Sequence, residues 1–169
     1  MNIEIIDNFL SSYHNNFYIN LFTNYKENYP WYFVDDLNDV KYKGNFYFCN
    51  IAYDRDIGMD FPQQYKLYEP LLNRLNITME NVNRIKANLY PLAPRRIHHQ
   101  THTDYKPNRG LKTCLYYPNQ SNRFTIFDGK KRITCNENRA IIFDGSIPHH
   151  STPPTDVNCA SSVNIDYWI

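Results

Sequence analysis

Three histidines and one aspartate fall within eight residues of the chain, HHQTHTDY at 98–105, although the whole sequence has six histidines in 169 residues. If this stretch is a β-strand, side chains two positions apart point to the same face, so His102 and Asp104 could share one ion. His98 and Gln100 would lie on that face as well. The spacing therefore predicts a metal site.

A second pair of histidines, His149 and His150, follows an apolar run in the stretch RAIIFDGSIPHHSTPP. Two histidines and one carboxylate on neighbouring strands form a facial triad, which leaves the opposite face of an octahedral iron open to ligands. Three protein ligands and a water also describe catalytic zinc. A surface histidine beside a turn aspartate would bind no metal, so the residues alone leave the ion open.

The second half of the sequence must position these residues, and it consists of short β-branched and aromatic runs separated by Pro, Asn, Asp and Gly. Many short, evenly spaced strands favour a sandwich or a jelly roll. The predicted strands are 84–90, 97–105, 111–117, 123–128, 131–135, 139–144 and 161–168.

The first half has a helical period of apolar residues in two places. One helix is predicted over 6–25, with Asp7 or Ser11 as possible caps. The other covers 62–76, where Pro70 should kink or interrupt it. These two segments predict helices that pack against the strands.

One further strand is predicted over 45–53 from its aromatic and β-branched residues. The length suits one domain, 1–169. We therefore predict a fold that is mostly β with flanking helices: a double-stranded β-helix, or jelly-roll, core over 84–169, buttressed by a helical and mixed region over 1–83.

Composition excludes several classes of protein. A hydrophobic fraction of 42% with 16% aromatics argues against disorder, and a formal net charge of +1 gives no reason to expect nucleic acid as a partner. No apolar run is long enough to span a bilayer, and the acidic start is unlike a signal peptide. The four cysteines are scattered without a CxxC pair, which favours buried thiols in a reducing compartment. We expect a cytoplasmic protein, in the host cytoplasm if a phage encodes it, and the oligomeric state stays open.

Basic side chains near the metal segment have two interpretations. They could guide an acidic peptide or a nucleic acid, or they could be ordinary solvated loop residues. These side chains are Arg95, Arg96, Lys106, Arg109 and Lys112.

Five stretches over residues 84–168, ANLYP, HTDY, CLYYPN, NRAIIFDGSIPHHS and SSVNIDYW, occur in an order and spacing that resemble a known family. The family is the Fe(II)/2-oxoglutarate-dependent dioxygenases, in the prolyl 4-hydroxylase-like branch seen in phage and bacterial proteins, and IDNFL near the start also fits. The resemblance implies an enzyme that uses Fe(II), 2-oxoglutarate and dioxygen to hydroxylate a peptidyl proline, another amino-acid residue or a small molecule.

The resemblance also implies roles for particular residues. His102, Asp104 and His149 would hold the iron, with His150 as the alternative to His149, and the retained Asp104 favours a hydroxylase over a halogenase. Tyr117 and Tyr90 would reach the co-substrate or the pocket wall, although aromatic core packing would also explain them.

One feature of the sequence departs from the family pattern. The last strand normally carries an Arg or Lys that pairs with the far carboxylate of 2-oxoglutarate, but Ala160 stands at that position, with Ser162 where a hydroxyl belongs. A buried carboxylate without its charge partner costs about 3–5 kcal/mol. Arg123 is the candidate replacement, unless it faces solvent, whereas Arg139 is expected to be structural.

Without a replacement base, three other functions remain open. The site could bind a different acid, or the chain could be a metal-binding jelly-roll module without 2-oxoglutarate turnover. A cupin-like isomerase or a zinc hydrolase is the third possibility.

Overall fold

The structure, a computed structural model, describes residues 2–35, 46–106 and 109–169. The strands are β1 (Ile3–Ile6), β2 (Tyr32–Val34), β3 (Tyr47–Asp54), β4 (Met59–Asp60), β5 (Val82–Pro91), β6 (Leu111–Tyr117), β7 (Phe124–Phe127), β8 (Lys131–Thr134), β9 (Arg139–Asp144), β10 (His149–Ser151) and β11 (Cys159–Trp168). The helices are α1 (Ser12–Thr23), α2 (Pro62–Tyr65) and α3 (Glu69–Leu75), and 3-10 turns cover Tyr25–Glu27 and Lys66–Tyr68.

The strands form two antiparallel sheets. The main sheet has the order β1-β9-β6-β11-β5-β3-β2, with β4 paired to β3, and the small sheet has the order β10-β7-β8. This arrangement confirms the predicted fold class, a mostly β jelly roll with flanking helices. The first half of the chain contributes β1 to β4 to the main sheet as well as the helices.

The main sheet separates the hydrophobic core from a polar cavity. On β5, Ile85 and Ala87 pack in the core with residues of the helices, such as Leu71 of α3, while Arg84 and Lys86 line the cavity on the other face. The same alternation runs along β11. Because successive side chains of a strand point to opposite faces, one strand can serve both surfaces.

The helices follow the predicted pattern. α1 begins after Ser11, whose hydroxyl accepts a hydrogen bond from the backbone N–H of His14 at 3.3 Å. Asp7, the other predicted cap, instead pairs with Arg139 at 2.6 Å, in agreement with a structural role for that arginine. The second helical stretch is interrupted as predicted, with Pro70 in the first turn of α3.

The strand predicted over 45–53 is confirmed as β3, except that position 45 lies outside the described residues. All four cysteines are free thiols, as expected. In the described part of the chain, none of the helices combines the length and apolar character needed to cross a membrane.

The strand predicted over 97–105 is wrong. This segment is irregular and makes one isolated antiparallel bridge, between His102 and His149. Its other backbone hydrogen bonds reach Ser151, from His99, and Gly145. Because β10, the strand beside it, has only three residues, it offers too few backbone groups to extend a ladder along the segment.

Candidate metal centre

The predicted metal ligands come together in the structure. His102, Asp104 and His149 each offer one ligand atom, and these atoms all lie within 4.8 Å of one another. Nε2 of His102 is 3.9 Å from Oδ1 of Asp104, and Nε2 of His149 is 3.6 Å from Oδ2. His150 lies outside this group, because its Nε2 faces Nδ1 of His98 at 3.2 Å.

Backbone contacts fix the three residues despite the irregular chain. His102 and His149 exchange two backbone hydrogen bonds, and the N–H of Asp104 donates to the carbonyl of Gly145 at 2.9 Å. A Cβ at Gly145 would lie 3.0 Å from Oγ1 of Thr113 and 3.6 Å from Cβ of Asp104. Glycine is therefore required here, because a larger residue would displace the aspartate.

Both histidines present the nitrogen that a metal needs. Nδ1 of His102 is 3.2 Å from the carbonyl of Gln100, and Nδ1 of His149 is 2.9 Å from the carbonyl of Ile147. A carbonyl only accepts, so each Nδ1 carries the proton and each Nε2 keeps its lone pair toward the aspartate. Burial, together with the neighbouring His149, lowers the pKa of His102, which favours the neutral ligand form.

A network behind the metal group orients Asp104. Oγ1 of Thr113 is 3.0 Å from Oδ2 of Asp104, and Nη2 of Arg84 is 3.4 Å from Oδ1. Both residues also contact Asp166, at 2.6 Å from Thr113 and 2.8 Å from Nε of Arg84. Burial raises the pKa of Asp166 to about 6, against the opposing charge of Arg84. This network holds the carboxylate of Asp104 in one orientation.

The metal group opens into a cavity of about 240 Å³ between the two sheets. Of the residues predicted to bind the co-substrate, Tyr90, Arg123 and Ser162 line this cavity. Tyr117 lies behind it in the core, with its hydroxyl 2.8 Å from Oγ1 of Thr125.

Arg123 is a buried cation, with 1% of its surface exposed, so the alternative that it faces solvent is wrong. Its guanidinium carbon lies 4.0 Å from the ring centroid of Tyr90. Nε and Nη1 are buried without a hydrogen-bond partner, and no carboxylate in the described ranges pairs with the side chain. An unpaired buried charge costs several kcal/mol, so the cavity is built to receive an anion at this point.

The departure at Ala160 has a structural counterpart. Ala160 is buried on β11 directly opposite Tyr90 of β5, the residue whose ring Arg123 covers. The side chain from β7 thus occupies the region where a base from β11 would extend.

Several residues of the cavity were missed by the sequence analysis. Arg84, Lys86 and Asn88 line it together with Tyr90, while Ile85 and neighbouring apolar residues point to the core. The signal was present in RIKANLY, whose polar residues recur with a period of two. By contrast, none of the basic side chains of the predicted rim lines the cavity, and one of them, Arg109, is paired with Asp56.

No protein-family model and no curated protein matches the sequence. Solved structures do match. A prolyl hydroxylase from Trichoplax adhaerens, in complex with a hypoxia inducible factor peptide, has 17% identity and a TM-score of 0.62, and the match covers 98% of this chain and 83% of that one. A prolyl-4-hydroxylase from Pseudomonas putida has 12% identity and a TM-score of 0.61, with 99% and 92% covered.

A third match is the epimerase SnoN from nogalamycin biosynthesis, in complex with Fe3+, alpha ketoglutarate and nogalamycin RO. It has 9% identity and a TM-score of 0.65, with 98% of this chain and 78% of that one covered. This chain has the fold of these enzymes. The resemblance inferred from the sequence is thereby confirmed at the level of the fold, and the chemistry must be argued from the cavity itself.

Proposed function

We propose that this protein is a non-haem Fe(II)- and 2-oxoglutarate-dependent dioxygenase that hydroxylates an amino-acid residue, peptidyl proline in the first instance. The observation that carries the proposal is the buried, unpaired guanidinium of Arg123, which lines the same cavity as the metal group. A site for a metal and a site for a carboxylate in one cavity suit a co-substrate that is itself a dicarboxylate. The prolyl hydroxylases that share the fold support proline as the target.

The ligand set fits Fe(II). Two imidazole nitrogens and one carboxylate oxygen, from His102, His149 and Asp104, are the donors of a facial triad with open coordination positions. With 2-oxoglutarate and dioxygen, iron bound there would supply the oxidation that converts a C–H bond to C–OH, while 2-oxoglutarate becomes succinate and carbon dioxide.

The protein's own residues bind and orient the co-substrate. Arg123 would pair with the far carboxylate of 2-oxoglutarate, which satisfies both charges away from water. Tyr90 holds the guanidinium in place, and Ser162 adds a hydroxyl to the cavity lining. The narrow, enclosed cavity limits water around the reacting groups.

The rival function is a metal-binding jelly-roll module without turnover, and the specific observation in its favour is Ala160, the residue at the usual position of the base. Arg123 weakens this alternative because a module that binds only a metal has no use for a second, buried cation. A zinc hydrolase or cupin-like isomerase would use the same three ligands without needing dioxygen.

Formation of succinate from 2-oxoglutarate tests the proposal. The purified protein with Fe(II) and dioxygen should form succinate slowly even without substrate, and omission of iron or dioxygen should stop it. Arg123→Met should abolish the reaction, while Arg132→Met, a change of the same type at an exposed position of β8, should not. Tight iron binding without succinate would favour the module, and a reaction that zinc supports without dioxygen would favour the hydrolase or isomerase.

A further inference from the structure

A second cation of the cavity, Lys86, has no carboxylate partner among the described residues. It lies on β5, half-buried, and its Nζ donates a hydrogen bond to the hydroxyl of Tyr47 at 3.1 Å. An ammonium group has three N–H donors, so two remain for a ligand. The contact with Tyr47 keeps the charged end of Lys86 at the cavity wall.

The charges of the cavity leave Lys86 uncompensated once the proposed co-substrate is bound. Arg84 is paired with Asp166, and Arg123 would take the far carboxylate of 2-oxoglutarate. A divalent metal would be balanced by Asp104 and the near carboxylate. The loaded cavity therefore keeps one positive charge, which lies on Lys86.

Lys86 and Arg123 lie in different parts of the cavity. Arg123 covers the ring of Tyr90, whereas Nζ of Lys86 lies 5.2 Å from the ring centroid of Tyr47, and the two rings stack with centroids 5.5 Å apart. Lys86 precedes Tyr90 by four residues on β5, or about 13 Å along the strand. A single carboxylate would not bridge the two positions.

The position of Lys86 relates it to the metal group. Arg84, two residues earlier on the same face of β5, reaches the metal ligand Asp104 at 3.4 Å. Lys86 thus lies next along this face, between the residue at the metal group and the residue at the co-substrate site. A substrate that enters the cavity beside the metal would meet this ammonium group.

We infer that the substrate of this protein carries an anionic group, a carboxylate or a phosphate, and that Lys86 binds it. The inference rests on the proposed function, because the charge balance assumes a bound metal and 2-oxoglutarate. It assigns Lys86 to substrate specificity and leaves co-substrate binding to Arg123. A peptide substrate would then have an acidic side chain or a phosphorylated residue close to the target residue.

The test uses protein loaded with Mn(II) and 2-oxoglutarate, since a paramagnetic ion broadens the NMR signals of a ligand bound near it. The probes are N-acetyl-Pro-Glu-amide, its uncharged partner N-acetyl-Pro-Gln-amide, and inorganic phosphate. The wild type should broaden the signals of phosphate or of the Glu peptide well before those of the Gln peptide. A response to phosphate alone would assign the anion to a phosphate, and a response to the Glu peptide would assign it to a carboxylate.

Variants then locate the charge. Lys86→Met should weaken binding of the anionic probe about ten- to a hundredfold, whereas Lys86→Arg, which keeps the charge, should retain most of it. Lys112→Met, a matched change outside the cavity, should have no effect. Affinity for 2-oxoglutarate should be unchanged in Lys86→Met.

Three results would overturn the inference. Equal binding of the Glu and Gln peptides without a phosphate response would show that the cavity does not select an anion. Loss of 2-oxoglutarate binding in Lys86→Met would make Lys86 a co-substrate residue. If the wild type failed to bind Mn(II) and 2-oxoglutarate together, the proposed function would fail first, and the inference would fail with it.

Discussion

His102 and His149 are joined by two reciprocal backbone hydrogen bonds, with N···O distances of 3.0 and 2.8 Å, and their rings lie 4.6 Å apart. This bridge aligns a histidine from an irregular segment with a histidine from a short strand. The ligand geometry therefore depends on the backbone of both segments and is present before any metal binds.

The bridge predicts which of the adjacent histidines binds the metal. His149→Ala should lower the affinity for Fe(II) more than about a hundredfold, because it removes a ligand, whereas His150→Ala should change it only a few-fold. Anaerobic equilibrium dialysis measures both affinities. The opposite ranking would show that His150 is the ligand.

Thr113 should affect the metal without touching it. Thr113→Val removes the hydroxyl that contacts both Asp104 and Asp166, and loss of such an outer contact typically lowers metal affinity about 10- to 100-fold. Thr134→Val, an exposed change of the same type, is the control. An unchanged Fe(II) affinity in Thr113→Val would mean that Asp104 is oriented by Arg84 and its backbone alone.

The position of Ala160 allows a test by exchange of the charge. Arginine at position 160 would enter a buried site opposite Tyr90 and close to a second guanidinium, so Ala160→Arg should block 2-oxoglutarate binding. The double variant Arg123→Ala with Ala160→Arg should recover part of it, because one cation remains. Isothermal titration with 2-oxoglutarate measures both effects, and stronger binding in the single variant would contradict the role of Arg123.

Buried His99 should make the metal-free protein less stable in acid. Burial, followed by the charge of Arg123, lowers the pKa of His99 from 6.5 to about 3. Between these values the unfolded chain binds a proton that the folded chain does not, so the free energy of unfolding falls as pH falls, by about 1.4 kcal/mol per unit.

The buried acid Asp166 acts in the opposite direction, because its pKa is raised to about 6 and the folded state holds its proton first. Comparison of the wild type with His99→Gln isolates the histidine. As the pH is lowered from 6.5, the stability of the wild type relative to the variant should decrease with the slope given above, in urea unfolding with a chelator present. Parallel pH curves for the two proteins would show that His99 is protonated when folded.

The sequence predicted most of the fold and the centre of the site. The jelly roll followed from alternating strands and turn residues, and the metal group from His102, Asp104 and the distant histidine pair. The prediction of a strand over 97–105 failed because periodicity reports side-chain direction, whereas the three-residue length of β10 limits the backbone ladder. The right ligands were thus brought together by a different backbone arrangement.

Arg123 and Lys86 show what local sequence could not decide. Solvent exposure and burial are equally compatible with an arginine at the start of a strand, and only the packing against Tyr90 separates them. Lys86 lies in a run whose period of two was visible, but which face of β5 meets the cavity depends on where the helices pack.

The central claim is that the metal group and Arg123 together bind Fe(II) and 2-oxoglutarate. The most direct measurement is an anaerobic titration of the metal-free protein with Fe(II) and then 2-oxoglutarate, followed by the weak visible charge-transfer band of the chelate. We expect a band in the wild type, none in His102→Ala or Asp104→Ala, and in Arg123→Met a half-saturation concentration raised by a hundredfold or more. Tight binding of iron without any band in the wild type would contradict the account.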